Sequence, residues 1–428
     1  METKKKILII TYYWPPAGGP GVQRWLKFVK YLPEFSIEPH VYIPENPNYP
    51  LQDEKLISEV SNQAVVIKQK IKEPYGLASI FSNGKAKKIS SGIISENKKQ
   101  SFIEKVMLWV RGNLFIPDAR VLWVKPSVDF LKKYIVENHI ETIITTGPPH
   151  SLHLIGLQLK KELNIHWITD FRDPWTTIGY HNKLKLSNWA AKKHKTLEKE
   201  VLNTCDEVIV TSPTTKKEFE VITPKPISVI TNGYDVERVE KKQMDEKFTL
   251  AHIGSLLSER NPQILWEAIN ELIQENETFA NLFELKLIGA VSEDVLGLIK
   301  KYGIDTFVNH LGYVSHEEAL QQQRCSQALL LIEINSKETE CIIPGKVFEY
   351  IVSERPIIAI GPEKADFASI LKETNTGKFF TYYDKELIKK HILELFNVFL
   401  KDELKVNAVG LQKYSRKALT SELASLLK

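Results

Sequence analysis

Short apolar runs alternate with amphipathic segments along almost the whole chain. Continuous apolar runs are typical of strands buried on both faces of a parallel sheet. Between most of these runs lies a segment of helical length and period, as at 22–32, 151–163 and 261–274. Strands that alternate with helices predict an α/β fold with parallel sheets. The predicted strands are residues 6–11, 38–43, 65–68, 142–145, 166–170, 207–211, 227–231, 249–253, 284–288, 308–311, 328–332 and 356–360.

The series of strands restarts near residue 249, which indicates two domains. A turn at 231–235 precedes a charged and weakly patterned stretch at 236–247, and such stretches often mark domain boundaries. At 428 residues the chain is also too long for one typical core. We therefore predict a first domain at 1–235 and a second domain at 248–409.

Residues 73–118 interrupt the alternation and are predicted to form an insertion. Between 84 and 112, seven Lys and Arg residues stand against two Glu residues, with apolar side chains between them. One interpretation is a lid whose apolar face packs on the first domain. The other is a surface element that contacts an anionic membrane. Both interpretations stay open at this point.

Composition narrows the class of protein. The net charge of +4 is small for this length, which argues against a nucleic-acid partner. The three cysteines are widely spaced and form no CxxC pair, so neither a zinc site nor a disulfide framework is expected. The apolar run at 7–10 is too short for a signal peptide, and no run approaches the roughly 18 apolar residues that span a bilayer. We expect a cytoplasmic protein, with contact at the inner face of the membrane left open.

The stretch 343–360 carries the strongest chemical signal. Pro344 and Gly345 open a short amphipathic helix ahead of the last predicted strand. A helix start offers free N–H groups and the positive end of a dipole, which suits a phosphate. Lys346 adds a positive charge there, and Glu349, one turn on, is placed to bind a vicinal diol such as a ribose. The stretch predicts a nucleotide site, and the alternative is an ordinary αβ unit with solvated Lys and Glu side chains.

Glycine-containing turns follow the first strand of each predicted domain. Gly18 and Gly19 stand between the first strand and the first helix, where glycine lets the backbone approach a ligand. Their spacing does not match the G-x-G-x-x-G dinucleotide pattern. Gly254 follows the strand at 249–253, and Arg260 lies close enough in sequence to reach a diphosphate. The alternatives are a loop that needs positive φ and a surface arginine.

Two further strands of the first domain end in polar and aromatic residues. Ligands of open α/β sheets bind outside the carboxyl ends of the strands, which is where His150 is expected. The segment 170–175 follows another strand and contributes residues able to hydrogen-bond to a sugar or stack on it: Asp170, Arg172, Asp173 and Trp175. The alternatives are a histidine that only packs or caps and an arginine salt bridge that fixes a loop.

Taken together, these pieces resemble the GT-B glycosyltransferases and, within them, the retaining family-4-like enzymes. The order and spacing of the motifs carry the resemblance, which covers nearly the whole chain. It implies two Rossmann-like domains with parallel sheets facing a central cleft, and a C-terminal helix at about 410–428 that crosses back to the first domain. The matching pieces are Gly18-Gly19, His150, 170–175, Gly254 with Arg260, Gly289, Gly312-Tyr313, 344–350 and 414–419.

The resemblance also implies an activity. The donor would be a nucleotide-sugar, with a UDP-sugar favoured, and the acceptor a saccharide or a lipid-linked molecule in surface polysaccharide biosynthesis. Neither a metal nor another cofactor is expected. By position, Arg260 and Lys346 would neutralise the leaving diphosphate, and His150 would contact the transferring sugar or the acceptor. Residues 170–175 would contact the sugar or the acceptor. The implied donor-binding residues are Gly18, Gly19, Gly254, Gly345 and Glu349, the last on the ribose hydroxyls.

The chain departs from the family pattern in two places. The pattern has two glutamates separated by seven residues, but the position of the first is Cys341, with Glu340 one step away. Leu265 stands where many relatives carry a lysine, and Lys346 is the expected substitute because a leaving diphosphate needs its charge balanced. Two rival functions therefore stay open: a nucleotide-sugar epimerase of the same fold, and a nucleotide-sugar-binding subunit without catalysis.

Overall fold

The computed structural model describes residues 4–73, 102–182, 184–235 and 243–427. The chain divides into two compact units. The first unit comprises Met1–Asn232 together with Arg416–Lys428, and the second comprises Gly233–Ser415. The chain therefore leaves the first unit once and returns to it with its last helix.

The first unit contains a seven-stranded sheet in the order β3-β2-β1-β4-β5-β6-β7. All of its neighbouring strands pair in parallel. The strands are β1 Lys5–Ile10, β2 Ile37–Pro44, β3 Val65–Gln69, β4 Thr142–Gly147, β5 His166–Phe171, β6 Glu207–Val210 and β7 Ile227–Val229. The strand order reverses between β1 and β4, as in a doubly wound Rossmann-like sheet.

Helices connect these strands. Among the described residues of the first unit, the α-helices are Pro20–Tyr31, Phe102–Leu114, Val124–Glu137, Ser151–Glu162, Gly179–Asn182, Asn188–Thr204, Pro213–Glu220 and Arg416–Leu426. Short 3₁₀ helices span Leu32–Phe35, Glu54–Glu59 and Val121–Trp123.

The second unit repeats this plan with a six-stranded parallel sheet in the order β10-β9-β8-β11-β12-β13. Its strands are β8 Phe248–Ile253, β9 Phe283–Ile288, β10 Val308–Gly312, β11 Ala328–Ile332, β12 Ile357–Gly361 and β13 Gly377–Thr381. Its α-helices are Gln263–Glu275, Glu277–Leu282, Glu293–Lys301, His316–Cys325, Lys346–Tyr350, Asp366–Thr374 and Lys385–Phe399, with 3₁₀ helices at Asp305–Phe307, Lys337–Thr339 and Leu411–Tyr414.

Both faces of the second sheet are covered by hydrophobic core. In β11, Leu330 and Ile332 belong to one cluster of buried side chains, whereas Leu329 and Leu331 belong to the cluster on the other face. Successive side chains of a strand point to opposite faces, so burial on both sides requires a continuous apolar run. This is the physical reason that the run at 328–332 predicts a central strand.

The C-terminal helix Arg416–Leu426 packs into the core of the first unit. Leu419, Leu423 and Ala424 are buried within that core. On the outer side, Lys417 forms an ion pair of 2.6 Å with Glu34. Burial of one apolar face against the helix Pro20–Tyr31 and the 3₁₀ helix Leu32–Phe35 fixes the place of this helix.

The α/β fold with parallel sheets is confirmed, and each of the twelve predicted strands lies on an observed strand. One strand, β13, was not predicted; it is an edge strand of the sheet and pairs with β12. Its pattern is weak because an edge strand is only partly buried: Phe380 is buried, whereas Lys378 is exposed. Such a strand does not need the continuous apolar run that marks a central one.

Most of the predicted insertion at 73–118 lies outside the described residues, which omit 74–101. The described part contains the helix Phe102–Leu114. Asn113 ties the end of this helix to the chain before the helix Asn188–Thr204, because its amide donates to the Lys185 carbonyl at 3.3 Å and accepts from the Ser187 N–H at 2.7 Å. Across the residues that the structure describes, no helix has the length and apolarity needed to cross a membrane.

Candidate active site

Several of the predicted site residues lie at the reversal points of the two sheets. In the first unit, Gly18 and Gly19 follow β1, and His150 follows β4. In the second unit, Gly254 and Arg260 follow β8. Crevices for ligands form at the carboxyl ends of the strands where the order of a doubly wound sheet reverses. Each unit therefore offers one candidate site, and the two are described separately.

Three glycine turns lie at the carboxyl ends of β8, β9 and β10. Gly254, Gly289 and Gly312 all have positive φ, of 112°, 116° and 67°. A Cβ on Gly289 would lie 2.7 Å from the carbonyl oxygen of Gly254. The Gly254 N–H donates to the Ile288 carbonyl at 2.7 Å, and the Gly289 N–H donates to the Gly312 carbonyl at 2.6 Å. Larger residues would separate these turns, so glycine is required at the first two positions for both packing and conformation.

The short helix Lys346–Tyr350 is fixed to the end of β8. Val347, Phe348 and Tyr350 are fully buried, and the Tyr350 hydroxyl accepts a hydrogen bond of 3.1 Å from the Ile253 N–H. This places Lys346 over the glycine turn, since a Cβ on Gly254 would lie 2.9 Å from Nζ of Lys346. Gly254 thus makes room for an ammonium group at the end of β8.

Lys346 is a partly buried cation with a lowered pKa. Burial, and then the neighbouring Arg260, lower the pKa of Lys346 to about 8, while Glu333 and Glu349 act in the opposite direction. An anion bound beside Lys346 would raise this pKa again, because an opposite charge favours the protonated amine. The site is therefore suited to a ligand with negative charge.

Arg260 is held by a residue that the sequence analysis missed. Nε of Arg260 donates to Oε1 of Glu333 at 3.0 Å, and Nη2 donates to Oε2 at 3.3 Å. The Glu333 side chain is 1% exposed and the Arg260 side chain 29% exposed. Glu333 directly follows the buried strand β11, and a charged residue at that point was the signal that could have identified it.

Glu349 shares a face of the short helix with Lys346, because the two are three residues apart. One of its carboxylate oxygens accepts a hydrogen bond of 3.0 Å from Nε2 of Gln323. Gln323 is 2% exposed, so it orients Glu349 from beneath. Gln323 was not predicted, since a glutamine within a polar helix gives no distinguishing signal.

The start of the helix Lys346–Tyr350 contributes less positive potential to the site than the sequence suggests. The helix spans only five residues, Lys346–Tyr350, so few peptide dipoles add up along it. Gly345 has φ of −55° and open space where a Cβ would stand. Neither conformation nor packing explains glycine at 345. The positive charge of the site comes mainly from Lys346 and Arg260.

In the first unit, the Gly18-Gly19 turn packs against a neighbouring loop. The Gly18 N–H donates to the Leu51 carbonyl at 3.0 Å, and a Cβ on Gly18 would lie 3.0 Å from the Leu51 side chain. Gly19 precedes the helix Pro20–Tyr31 with φ of 92°. These contacts give both glycines a structural reason, and their contact with a donor stays a prediction.

His150 belongs to a buried group of aromatic rings. Its ring stacks on Trp175 at 4.9 Å with an interplanar angle of 2°, and His153 stacks on Phe171 at 4.3 Å. Gly147 allows this packing, because a Cβ there would lie 2.5 Å from Nε2 of His153 and 3.0 Å from Nδ1 of His150. His181 and His194, which the sequence analysis missed, complete the group with a ring separation of 4.7 Å.

The histidines of this group are held neutral. Burial, then the neighbouring His153 and Arg172, lower the pKa of His150 well below its usual range. Both ring nitrogens of His150 are buried and have no hydrogen-bond partner among the described residues. A base with so low a pKa is a poor proton acceptor near neutral pH, so His150 is better suited to a hydrogen bond. Its contact with a ligand stays a prediction and requires the covering side chains to move.

Asp170 and Trp175 are buried, so neither can contact a sugar in this structure. Asp170 is 0% exposed and pairs with Arg24 at 2.8 Å. It also accepts hydrogen bonds from Trp25 at 2.7 Å and Thr146 at 2.8 Å. Trp175 is 1% exposed. In this structure the Asp170 carboxylate ties strands to the first helix, and the Trp175 ring is covered by His150, so neither presents a surface to a sugar.

Arg172 and Asp173 lie nearer the expected crevice. The Arg172 guanidinium donates to the Gly21 carbonyl at 3.2 Å and to the Pro148 carbonyl. These bonds tie the start of the helix Pro20–Tyr31 to the loops after β4 and β5. Asp173 is partly buried. Burial raises the pKa of the Asp173 carboxyl, and Arg172 opposes this effect. Arg172 does fix loops, as its alternative interpretation holds, and a sugar or acceptor contact by either residue stays a prediction.

Known proteins similar to this chain give these features a context. Residues 91–238 match the model of the Glycosyltransferase Family 4. No curated protein matches the sequence. The structure of sucrose-phosphate synthase from Thermosynechococcus elongatus is similar at a TM-score of 0.60 and 15% identity, with 99% of this chain and 97% of that chain covered.

Two further solved structures share the fold. HepE from Anabaena, crystallised in complex with UDP-glucose, is 13% identical with a TM-score of 0.59 and 99% of each chain covered. A putative UDP-N-acetylglucosamine 2-epimerase from Listeria monocytogenes is 12% identical with a TM-score of 0.56, covering 99% of this chain and 96% of that one. At such identities the likeness establishes the fold, which is GT-B, and the family match supplies the class of enzyme.

The chain is a glycosyltransferase of the GT-B fold. The match lies mainly in the first unit of this glycosyltransferase and includes His150 and residues 170–175. Among the described residues of the glycosyltransferase, no group of three or more His, Cys, Asp or Glu side chains is arranged to hold a metal ion. Its three cysteines, Cys205, Cys325 and Cys341, are all buried.

Proposed function

We propose that this glycosyltransferase transfers a sugar from a nucleotide-sugar, with a UDP-sugar favoured, to a saccharide or lipid-linked acceptor with retention of configuration. The observation that carries the proposal is the arrangement of Lys346, Arg260 and Glu349 at the carboxyl ends of β8 and β11. Two cations and a diol-binding carboxylate beside a glycine turn fit a nucleoside diphosphate. UDP-glucose in the similar Anabaena protein supports a donor of this kind.

Each residue has a defined part in the proposed reaction. Lys346 and Arg260 offset the charge that develops on the diphosphate as the glycosidic bond to phosphate breaks. Glu349, oriented by Gln323, accepts hydrogen bonds from the ribose hydroxyls. His150 contacts the transferring sugar or the acceptor. In a retaining reaction on one face of the sugar, the leaving phosphate helps to remove the acceptor proton, so no protein base is assigned. Surface polysaccharide biosynthesis is the proposed setting.

The epimerase rival has the same fold, because the Listeria protein is similar over nearly its whole length. The match to Glycosyltransferase Family 4 favours transfer over epimerisation. The two reactions differ in their need for an acceptor. Incubation with a UDP-sugar alone would produce an epimer in one case, whereas transfer in the other requires an added acceptor.

Glu349→Ala tests the donor site directly. A pair of hydrogen bonds to a charged carboxylate is lost, each worth about 1.5–3 kcal/mol. The affinity for the donor should therefore fall by at least roughly tenfold. The fold should persist, because Glu349 lies on the surface side of a well-packed helix. Isothermal titration with UDP-glucose and UDP-N-acetylglucosamine measures the change.

Glu363→Ala is the matched control for this experiment. Glu363 is an exposed glutamate of the same unit, in the loop after β12, and its replacement should leave the affinity unchanged. If Glu349→Ala binds both nucleotide-sugars as tightly as the native chain does, the ribose assignment is wrong.

A lipid-linked acceptor would bring the enzyme to a membrane, and we extend the proposal to contact with an anionic bilayer. The helix Asn188–Thr204 exposes a row of lysines, and Trp189 beside them is 66% exposed. The neighbouring helix Phe102–Leu114 exposes Trp109 at 46% and Leu114 at 64%. Lysines with exposed aromatic and aliphatic side chains are typical of surfaces that bind at the headgroup level. A groove of about 420 Å³ on this face is lined by Asn188, Ala191, Lys192, Lys195, Thr196 and Lys199.

Replacement of Lys192, Lys195 and Lys199 with glutamine should weaken binding to anionic liposomes by about a hundredfold, since each lysine contributes about 1 kcal/mol near such a surface. Co-sedimentation at low and high salt measures this, and salt should weaken the native binding. The control replaces three exposed lysines of the second unit, Lys300, Lys364 and Lys372, with the same loss of charge. Equal binding by the two variants would contradict the membrane proposal.

A further inference from the structure

Glu333 is the buried anion of the second-unit site. It stands directly after β11, with its side chain 1% exposed. Both of its oxygens accept from the Arg260 guanidinium, at 3.0 and 3.3 Å, and Oε1 also accepts from the Ile334 N–H at 2.9 Å. The Tyr382 hydroxyl donates to the Glu333 carbonyl at 2.9 Å. A carboxylate fixed in this way holds a guanidinium in one plane and leaves its other edge free for a ligand.

The charges around Lys346 explain why a carboxylate is needed beside Arg260 and Lys346. Arg260 and Lys346 interact unfavourably, and Glu333 and Glu349 are the carboxylates that oppose this repulsion. His252, from β8, is buried, and burial followed by the charge of Lys346 lowers its pKa well below the usual range. His252 therefore adds no positive charge. Of the two carboxylates, Glu349 is assigned to the ribose, so Glu333 is the one dedicated to the cations.

We infer that Glu333 is a positioning residue of the diphosphate site, holding Arg260 in a fixed orientation and allowing Arg260 and Lys346 to remain charged side by side. The inference rests on the proposed function, because it assigns the two cations to a nucleoside diphosphate. Glu333 itself need not touch the ligand. Its effect is transmitted through the side chain that it binds and through its charge.

A consequence follows for the dependence of binding on pH. Lys346 loses its proton in the free protein as the pH rises through about 8, and the affinity for a diphosphate should fall over the same range. Loss of the Glu333 charge removes a group that stabilises the ammonium, so the proton leaves at lower pH. An opposite charge within a few ångströms typically moves a pKa by about 1–3 units. We therefore expect Glu333→Gln to move the midpoint of this fall down by about one unit.

The test measures binding of a nucleoside diphosphate to the full chain between about pH 7 and pH 9.5. A thermal-shift screen of UDP, GDP and ADP selects the probe, since a bound ligand raises apparent stability. Isothermal titration then gives the midpoint for the native chain, Glu333→Gln and Glu333→Asp. All proteins bind the same probe, so titration of the nucleotide itself cancels in the comparison.

Glu333→Asp keeps the charge but is one methylene shorter. It should keep the native midpoint and lose affinity at pH 7 by roughly tenfold, since Arg260 is no longer held at the same place. Glu363→Gln, in the loop after β12, is the matched control and should alter neither quantity. The aspartate variant also keeps the test decisive if the glutamine variant does not fold.

Each outcome has a separate meaning. A lower melting temperature of Glu333→Gln with an unmoved midpoint would show a purely structural ion pair and overturn the inference. A native midpoint together with native affinity in Glu333→Asp would overturn the positioning role of the side chain. If none of the three nucleotides binds the native chain, the proposed function itself fails, which is distinguishable from a failure confined to Glu333.

Discussion

Replacement of Lys346 and Arg260 together by alanine is expected to lower the rate of sugar transfer by at least about a hundredfold. A preorganised charge at a leaving group can contribute on this scale, because it acts where negative charge develops and costs no reorganisation during the reaction. Lys346 lies over the Gly254 turn, and Arg260 is held at the end of β11. Initial rates with saturating donor, compared with donor affinity, would separate an effect on turnover from an effect on binding.

The two cations differ in what their removal does to the fold. Burial and the neighbouring Arg260 disfavour the charged form of Lys346, so Lys346→Ala should not lower the melting temperature. Arg260→Ala leaves the buried Glu333 carboxylate unpaired, and breaking a buried pair on one side is strongly destabilising. The single variant Lys346→Ala is therefore the cleaner measure of catalysis. Native transfer rates in the folded double variant, measured below its melting temperature, would contradict the diphosphate role.

Stability is expected to fall steeply as the pH drops from about 6.5 to about 4.5. Burial lowers the pKa of His153 to about 3, with Asp170 acting in the opposite direction. Burial, then the neighbouring His194, lowers the pKa of His181 to about 4. The pKa values of His150 and His194 are also lowered. Four histidines in one buried group should thus resist protonation in the folded state.

The sign follows from which state binds protons. Below about pH 6.5 the unfolded chain protonates its histidines, whereas the folded chain does not, so acid favours unfolding. The stability from these groups is fully present above pH 6.5 and is lost as the pH falls toward their folded pKa values. Each such histidine contributes a slope of about 1.4 kcal/mol per pH unit. Burial raises the pKa of Asp173 and of Glu198, which acts in the opposite direction and lessens the total.

A variant isolates the histidine contribution. His153→Gln removes one group of low pKa and should reduce the slope by about 1.4 kcal/mol per pH unit. His166→Gln, which replaces a histidine whose side chain is 44% exposed, is the matched control. Urea unfolding followed by tryptophan fluorescence reports on the first unit, because seven of the eight tryptophans lie there. An identical slope in the native chain and in His153→Gln would contradict the prediction.

The sequence predicted the fold best where strands are buried on both faces. Strands buried on both faces need continuous apolar runs, and the central strands at 7–10 and 328–332 carry them. The strand that was not predicted, Gly377–Thr381, lies at a sheet edge and is only partly buried. Burial on one face relaxes the pattern, so the sequence signal weakens where the sheet ends.

The candidate site was readable only in part. Lys346, Arg260 and Glu349 stand next to strand ends or glycine turns, and position alone marked them. Glu333 and Gln323 complete their geometry from other elements, β11 and the helix His316–Cys325. Contacts of this kind join residues 26 to 73 positions apart, and no local pattern encodes such a pairing.

The sequence alone determined the alternation of strands and helices, the restart of that series near residue 249 and the chemical character of the strand ends. These features depend on the period and polarity of neighbouring residues, which any chain displays directly. Only the tertiary structure decided which polar groups are available to a ligand. Asp170 and Glu333 are both carboxylates at strand ends, yet each is buried against an arginine from a distant segment. Exposure and partnership are properties of the packed chain, because they depend on which surfaces the other elements cover.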